Sequence, residues 1–147
     1  MEITVQKAMR EDAETAAGLA VQMWKSHTVD ELRQEFADAI DVDRGAIFLA
    51  VADGQAVGFA QCGLRHDYVE GTSSSPVGYL EGVFVAEPYR KRGVAKELLM
   101  ACQKWAKEQG CGEFASDCEL TNDASLKFHL KMGFDEANRV ICFTKRL

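Results

Sequence analysis

A strand that runs into a basic, glycine-containing turn and then into a long helix is the feature that most constrains this chain. Residues 79–86 are rich in β-branched and aromatic residues, and residues 93–109 have amphipathic helical spacing. The turn between them carries Arg90, Lys91 and Arg92, followed by Gly93. A helix N-terminus offers backbone N–H groups without intrahelical partners and the positive end of the helix dipole. The segment therefore predicts a cradle for an anion such as a pyrophosphate.

The spacing of this turn separates it from two common nucleotide-binding loops. Neither the P-loop pattern GxxxxGK[ST] nor the dinucleotide pattern GxGxxG occurs in the sequence. Taken alone, the turn is equally well interpreted as a solvated helix cap.

The rest of the chain predicts a mixture of strands and helices. Asp53-Gly54 indicates a hairpin turn, and Thr28 with Glu31 indicates a capping box that opens a helix. Further strands are predicted at residues 3–8, 46–52, 57–64, 113–118, 134–136 and 139–144, and further helices at residues 12–24 and 122–131. Residues 65–78 are polar and predict a loop. We expect one α+β domain over residues 1–147, with a central mixed sheet and helices on both faces.

Composition and charge narrow the function classes. Apolar residues make up 47% of the chain and the net charge is 17 − 23 = −6. An acidic protein does not attract nucleic acid or an anionic membrane surface, whereas it attracts cations. The absence of an 18-residue apolar run argues against a transmembrane helix. Charged residues near the N-terminus argue against a signal peptide, so we expect a cytoplasmic protein.

The cysteines give little indication of a metal or disulfide framework. Their number, 5, is odd, and CxxC spacing does not occur. We therefore expect reduced, mostly buried thiols and no metal site.

Three motifs together resemble the GNAT superfamily of N-acetyltransferases. Arg90-x-x-Gly93-x-Ala95 matches its [Q/R]-x-x-G-x-[G/A] motif, and Asn122-x-Ala124 and residues 130–134 resemble its closing helix and K-x-G-F signature. The resemblance implies the GNAT fold, with a mostly antiparallel sheet, and acetyl-CoA as the co-substrate of a direct transfer to an amine. It also implies a set of cofactor-binding residues: Val83, Phe84, Val85, Arg90, Lys91, Arg92, Gly93, Val94, Ala95, Lys96 and Asn122.

Segments outside these motifs resemble the aminoglycoside 6'-N-acetyltransferases of the AAC(6')-I group. They are residues 24–27, 65–71, 74–76, 80–82 and 115–117. This closer resemblance implies acetylation of the 6'-amino group of aminoglycosides, antibiotic resistance and a homodimer. It implies substrate contacts at Trp24, His27, Tyr68, Glu81, Asp117 and Asn138. Asn138 stands where close relatives often carry an acidic residue, and a neutral amide weakens the grip on one substrate ammonium.

Two carboxylates are candidates for binding the amine and taking its proton. Glu81 lies two residues before Val83 on the predicted strand, and Asp117 ends the neighbouring strand. From spacing alone, Glu81 is better interpreted as a solvent-facing strand residue and Asp117 as a cap of the next loop. The resemblance favours catalytic roles, in which a carboxylate pairs with the substrate ammonium and accepts its proton.

His129 is the candidate for protonating the leaving group. Many superfamily members place a tyrosine four residues before the glycine of the closing GF, and that position here is His129. Either His129 protonates or hydrogen-bonds the coenzyme A sulfur, or it merely packs near the cofactor.

Two other functions remain open at this point. One is a GNAT enzyme that acetylates a polyamine, another small amine or a protein N-terminus. The other is a non-catalytic acyl-CoA sensor, which keeps the phosphate cradle but does not need carboxylates beside the thioester. Glu81 and Asp117 count against the sensor.

Overall fold

A computed structural model describes residues 2–147, in which five strands form one sheet and four α-helices flank it. The elements are β1 Ile3–Lys7, α1 Ala13–Ala20, α2 Val29–Asp41, β2 Gly45–Ala52, β3 Gln55–Arg65, β4 Val77–Val85, α3 Val94–Glu108, β5 Phe114–Ser116 and α4 Asp123–Lys131. The strand order is β1-β2-β3-β4-β5. Neighbouring strands are antiparallel except β4 and β5, which are parallel. The mixed, mostly antiparallel α+β sheet is confirmed.

The two faces of the sheet carry separate apolar cores. On one face, α1 and α2 pack with Leu32, Phe36 and Phe59, which are all at most 1% exposed. On the other face, α3 buries Leu98 and Trp105 against the sheet. Each such side chain contributes roughly 1.5–3 kcal/mol through burial. The helices therefore cover both faces, as predicted.

The helix and hairpin signals are largely confirmed. Thr28 is the N-cap of α2, and its Oγ1 accepts a hydrogen bond from the Glu31 backbone N–H at 3.1 Å. Asp53 and Gly54 both have positive φ, 52° and 77°, as a two-residue hairpin turn requires. The first helix, predicted over residues 12–24, spans only Ala13–Ala20.

The predicted strands at residues 134–136 and 139–144 are wrong for the single chain. Residues 134–147, all of them described, contain no strand and are mostly exposed. Val140, Ile141 and Phe143 are 69%, 80% and 87% exposed. Val140 to Phe143 form an apolar run in the sequence, but a strand also needs a partner for its backbone hydrogen bonds.

The five cysteines are free thiols: Cys62, Cys102 and Cys111 are buried, and Cys118 and Cys142 are exposed. None of the helices within residues 2–147 combines the length and apolar character that crossing a bilayer requires.

Candidate active site

A bulge in β4 gives the site its shape. Gln61 of β3 pairs with Gly82 and Cys62 pairs with Leu80, so Glu81 is an extra residue on β4. On the other side, β4 pairs with β5 only from Gly78 to Leu80. Beyond Leu80, within the described chain, the β5 edge of β4 is open. The bulge and the divergence of the two strands therefore coincide at Glu81.

The bulge also changes which backbone N–H groups face this open edge. The Gly78 N–H donates toward β5, to the Glu113 carbonyl at 3.0 Å, whereas the Ala86 N–H donates toward β3, to the Val57 carbonyl at 2.8 Å. Successive N–H groups along a strand point to opposite edges, so without a bulge these two would share an edge. Counting back from Ala86, the N–H groups of Val83 and Val85 face the open edge. Residues 81–85 span about 16 Å at 3.3 Å per residue.

The basic turn lies directly after this edge. Gly93 is the N-cap of α3 with φ of 80°, and no described atom lies within 4 Å of a Cβ built on it. Arg90 Nε donates to the Val85 carbonyl at 2.7 Å, which ties the turn to the end of β4. Lys91 and Arg92 are exposed. An extended phosphate-bearing ligand fits this arrangement, because the open edge leads into free space before a positively charged helix N-terminus.

Glu81 forms an ion pair with Arg65, the last residue of β3. Arg65 Nη2 lies 2.8 Å and 3.0 Å from the two Glu81 carboxylate oxygens. Burial alone lowers the pKa of Arg65, but the hydrogen bond to Glu81 and its charge outweigh burial, so the pKa is raised. The side chains are 45% and 33% exposed, and ion pairs of this kind contribute about 0–1 kcal/mol. A substrate cation can therefore replace Arg65 at small cost.

Tyr79 and Asp117 form the second acidic position. The Tyr79 hydroxyl donates to Asp117 Oδ2, and Asp117 directly follows β5. The Arg65 guanidinium carbon lies 3.9 Å from the centre of the Tyr79 ring. Burial, and then the hydrogen bond to Asp117, raise the pKa of Tyr79 well above its ordinary value. Arg65 therefore bridges the two carboxylates, through a direct ion pair to Glu81 and through the Tyr79 ring toward Asp117.

His129 lies on α4 and reaches β5. Its Nε2 is 2.8 Å from Ser116 Oγ, and its Nδ1 is 2.7 Å from the Ser125 carbonyl oxygen. The ring also packs edge-on against Phe128 and Phe134. The sequence analysis placed His129 near the reacting sulfur, and the structure places it at the point where β4 and β5 diverge.

A groove of about 610 Å³ runs between β5, α4 and the C-terminal segment. Among the predicted site residues it brings together Asp117, His129 and Asn138. Asn138 Nδ2 donates to Glu70 Oε1 at 3.1 Å, which connects the C-terminal segment to the loop at residues 66–76. Tyr79 and Ser116 line the same groove.

The remaining predicted residues have local roles in the structure. Trp24 packs edge-on against Phe36 and Phe59 and lies over Gly82, beside Glu81. His27 Nδ1 lies 3.5 Å from Glu31 Oε2 on the first turn of α2. Tyr68 is 75% exposed in the loop at residues 66–76. Asn122 is the N-cap of α4, and its Oδ1 accepts from the Ser125 N–H at 3.1 Å.

Three site residues were missed by the sequence analysis. Tyr79 stands two residues before Glu81 on the same strand, and this spacing was an available signal. Arg65 was quoted only as part of a resemblance, and its pairing with Glu81 depends on the β3–β4 register. Ser116 was likewise quoted only within a resembling segment, residues 115–117, and its hydrogen bond to His129 had no sequence signal because His129 lies on a different element.

The site is an open strand edge that leads from two carboxylates to a basic helix N-terminus. This arrangement, on a mixed sheet, is that of an acyl-CoA-dependent transferase. The chain belongs to the acetyltransferase (GNAT) family, whose model matches residues 7–134.

Similar proteins carry a more specific name. The chain is 46% identical over 129 residues to an aminoglycoside N(6')-acetyltransferase type 1 of Salmonella typhimurium, covering 88% of this chain and 89% of that protein. It is 43% identical over 143 residues to one of Stenotrophomonas maltophilia, covering 95% and 91%. The solved structure of the aminoglycoside N-acetyltransferase AAC(6')-Iy with CoA matches with a TM-score of 0.95 at 42% identity, covering 99% and 96%. The same enzyme with the bisubstrate analogue CoA-S-monomethyl-acetylneamine matches with a TM-score of 0.95 at 41% identity, covering 100% of both chains.

Proposed function

We propose that this protein transfers the acetyl group of acetyl-CoA to the 6'-amino group of aminoglycosides and thereby gives resistance to them. The observation that carries the proposal is the position of Glu81 and Asp117 at the start of the open β4 edge. Two carboxylates at one end of an acyl-CoA slot suit an acceptor with several ammonium groups, and the protein's net charge of −6 favours its approach. The relatives described above carry the same activity in their names.

The acetyl-CoA is held by one continuous stretch of chain. The Val83 and Val85 N–H groups pair with the pantetheine arm as an added strand would, and one of them binds the thioester oxygen as its charge develops. The pyrophosphate is bound by residues 90–96, which include the three basic side chains of the turn, Arg90, Lys91 and Arg92. Asn122 is the N-cap of α4, and its Oδ1 already accepts from the Ser125 N–H. Its amide nitrogen is therefore the atom that donates to the cofactor.

The amine loses its proton to Glu81 before it attacks. In the ligand-free protein Arg65 neutralises Glu81, and a substrate ammonium takes the place of Arg65 because the pair is half exposed. Asp117 binds a second ammonium or accepts the proton in place of Glu81. The amine nitrogen then attacks the thioester carbon directly, and His129 assists the departure of the sulfur.

The aminoglycoside lies against Trp24, His27, Tyr68 and Asn138. Trp24 offers an aromatic edge beside Glu81, and the exposed Tyr68 lies on the loop that contacts Asn138 through Glu70. Because Asn138 is neutral, this protein holds one substrate ammonium less tightly than a relative with a carboxylate there.

We further propose a cytoplasmic homodimer. The C-terminal segment at residues 134–147 contains no helix or strand and places Val140, Ile141 and Phe143 in solvent. Burial of these side chains against a second copy removes apolar surface from water and gives the segment's backbone a partner. Phe143→Glu should therefore convert a dimer to a monomer in sedimentation analysis, and a monomeric wild type would contradict the proposal.

The function is tested by an acceptor screen with acetyl-CoA that measures thiol release. We expect acetylation of kanamycin- or tobramycin-like substrates with a 6'-amine, and none of the matched analogue with a 6'-hydroxyl. The Michaelis constant for the acceptor should rise with salt, because ion pairs are screened. Thiol release with polyamines or peptides alone would contradict the substrate assignment, and acetyl-CoA binding without any release would indicate a sensor.

A further inference from the structure

The hydrogen bonds of His129 fix which of its ring nitrogens carries a proton in the neutral state. The Ser125 carbonyl oxygen, 2.7 Å from Nδ1, is only an acceptor, so Nδ1 carries the hydrogen and donates it. Nε2 of the neutral ring is then an acceptor, and the Ser116 hydroxyl shares its one hydrogen between Nε2, 2.8 Å away, and the Leu80 carbonyl oxygen, 3.2 Å away. Both nitrogens are therefore engaged within the protein, and neither one points freely at a ligand.

Ser116 occupies the point where the two parallel strands diverge. It is the last residue of β5 that pairs with β4, opposite Leu80, and its Oγ is 3.2 Å from the Leu80 carbonyl oxygen. The open edge begins at the next residue of β4. Since the basic turn marks the phosphate end of this edge, the reacting end of an acyl-CoA lies at the opposite end, beside Ser116.

We propose that Ser116 gives the departing coenzyme A sulfur its proton and that His129 is a positioning residue that supplies Ser116 with the replacement. The inference rests on the proposed acetyl transfer. As the amine nitrogen bonds to the carbonyl carbon and the C–S bond breaks, the sulfur takes the Ser116 hydroxyl proton. Ser116 Oγ takes the Nε2 proton of a cationic His129, which is left neutral and still bonded to Ser125. The ammonium gives one proton to Glu81 before the attack and the nitrogen loses a second one after it; both pass to solvent, which returns one to His129, so one proton is released in each turnover.

The direction of this chain of hydrogen bonds depends on the charge of His129. When the ring is neutral, Nε2 is an acceptor that competes with the Leu80 carbonyl oxygen for the Ser116 hydrogen. When the ring is protonated, Nε2 donates to Ser116 Oγ, and the hydroxyl hydrogen is directed away from Nε2, to the Leu80 carbonyl oxygen or to a ligand at the open edge. The other titratable and charged groups that line the same groove are Glu70, Tyr79, Glu113, Asp117, Cys118, Glu119, Asp135, Glu136 and Arg139.

The kinetic test compares Ser116→Ala with Ser116→Thr, which keeps the hydroxyl. We expect Ser116→Ala to lower kcat about tenfold with an unchanged KM for acetyl-CoA, and Ser116→Thr to recover most of the loss. The factor is below the usual effect of an acid catalyst, about 10²–10⁴, because a thiolate is already a fair leaving group. His129→Gln should lower kcat similarly, and the double variant should be no slower than either single variant.

A better leaving group separates proton transfer from a structural tie between β5 and α4. With the selenoester analogue of acetyl-CoA, the leaving selenolate is less basic than a thiolate and departs without a proton. Ser116→Ala should then match the wild type. A deficit that persists with the selenoester, or a wild-type kcat of Ser116→Ala with acetyl-CoA, would overturn the proposal.

A second readout needs neither substrate. At a pH at which the ring is neutral, ligand-free protein with ¹⁵N-labelled histidine should show the protonated signal at Nδ1 of His129 and the acceptor signal at Nε2, and Ser116→Ala should shift Nε2 alone; in the cationic state that supplies Ser116, both nitrogens should show the protonated signal. The opposite tautomer would overturn the proposal. Each rate is expressed relative to the wild type, measured with an amine that the wild type acetylates. A wrong aminoglycoside assignment would therefore appear as a failure of the wild type to acetylate aminoglycosides, whereas a wrong relay would appear only in the ratios of variant to wild-type rates.

Discussion

The two ends of the open β4 edge are built in different ways. The phosphate end comes from one stretch of chain, residues 85–96, and depends mainly on backbone N–H groups and a glycine with positive φ. The acceptor end is assembled from side chains of three separate places: Arg65 at the end of β3, Glu81 on β4 and Asp117 after β5. A backbone cradle needs only local sequence, whereas a side-chain cluster needs the register of the whole sheet.

This difference predicts different effects of mutation. A change at the phosphate end should weaken acetyl-CoA binding whatever the acceptor is. A change at the acceptor end should lower turnover or acceptor binding and leave the acetyl-CoA affinity intact. Substitutions at each end, and at the residue between them, test this separation.

The largest effect is expected from Gly93→Glu. The new side chain enters the open space before α3, and its charge repels the pyrophosphate that the N–H groups would otherwise bind. Loss of two or three charge-assisted hydrogen bonds costs about 4 kcal/mol or more, which is about a thousandfold in affinity. Titration calorimetry with acetyl-CoA measures it.

Gly110→Glu is the matched control for this variant. Gly110 also has positive φ, 91°, with no described atom within 4 Å of its Cβ position, but it follows the other end of α3. Both variants carry the same backbone strain and the same new charge. If both lose acetyl-CoA affinity equally while remaining folded, the cradle is not the binding site.

A smaller effect is expected from Glu81→Gln at the acceptor end. The amide keeps the shape of the side chain but neither pairs with an ammonium nor accepts its proton, so we expect kcat to fall about a hundredfold. The acetyl-CoA affinity should remain that of the wild type. Glu97→Gln, on the exposed first turn of α3, is the control for loss of a negative charge. Wild-type turnover of Glu81→Gln would point to Asp117 or water as the proton acceptor.

Gly82→Ala tests the residue between the two ends. A Cβ on Gly82 would lie 2.6 Å from Trp24 Cζ2, so the indole or the strand has to move. Such overpacking costs about 1–3 kcal/mol, which lowers Tm by roughly 3–10 °C for a domain of this size.

Gly63→Ala is the control for this substitution, because its Cβ would meet the Arg44 carbonyl oxygen at an ordinary 3.5 Å. Gly82→Ala should also raise the KM for the acceptor through the displaced Trp24. Equal Tm values for the two alanine variants would contradict a tight fit of Trp24 on β4.

The same contrast explains what could be predicted from sequence. Apolar runs and turn residues predicted β2, β3 and the hairpin, and the Arg90–Gly93 spacing predicted the cradle, because these signals lie within a few residues of each other. The Glu81 bulge, the Arg65 ion pair and the Ser116–His129 hydrogen bond join residues at least 13 positions apart or depend on register. Local patterns do not encode such pairings, since they are decided by which strands lie side by side.

The C-terminal segment shows a case in which a local sequence pattern predicted a strand that the structure does not contain. A strand was predicted at residues 139–144, where Val140 to Phe143 are apolar, but within the described chain residues 134–147 pair with no strand. An apolar run indicates which residues favour burial, and it does not indicate whether a backbone partner exists.

The smallest effect is expected at Glu113, which supports the acceptor end from outside. Its carboxylate accepts hydrogen bonds from the Ser74 hydroxyl and from the Ser73 N–H at 2.9 Å, and so holds the loop that carries Tyr68.

The hydrogen bond from Ser74, and then the one from Ser73, lower the pKa of Glu113. A carboxyl with a depressed folded pKa stabilises the fold fully above its unfolded pKa, and this stabilisation is lost as pH falls through the folded value. The loop should therefore be held at neutral pH and should loosen only as the pH falls below the ordinary glutamate range. In Glu113→Gln the charge is absent at every pH, so amide exchange at Ser73 should already be faster at pH 7, and the acceptor KM should rise about twofold, as expected for a weakened exposed hydrogen bond. Glu108→Gln, at the exposed end of α3, is the control and should leave both quantities unchanged. Equal exchange at Ser73 in wild type and Glu113→Gln would show that the loop is held by its own turns, and the acceptor end would then depend on fewer distant residues than the comparison requires.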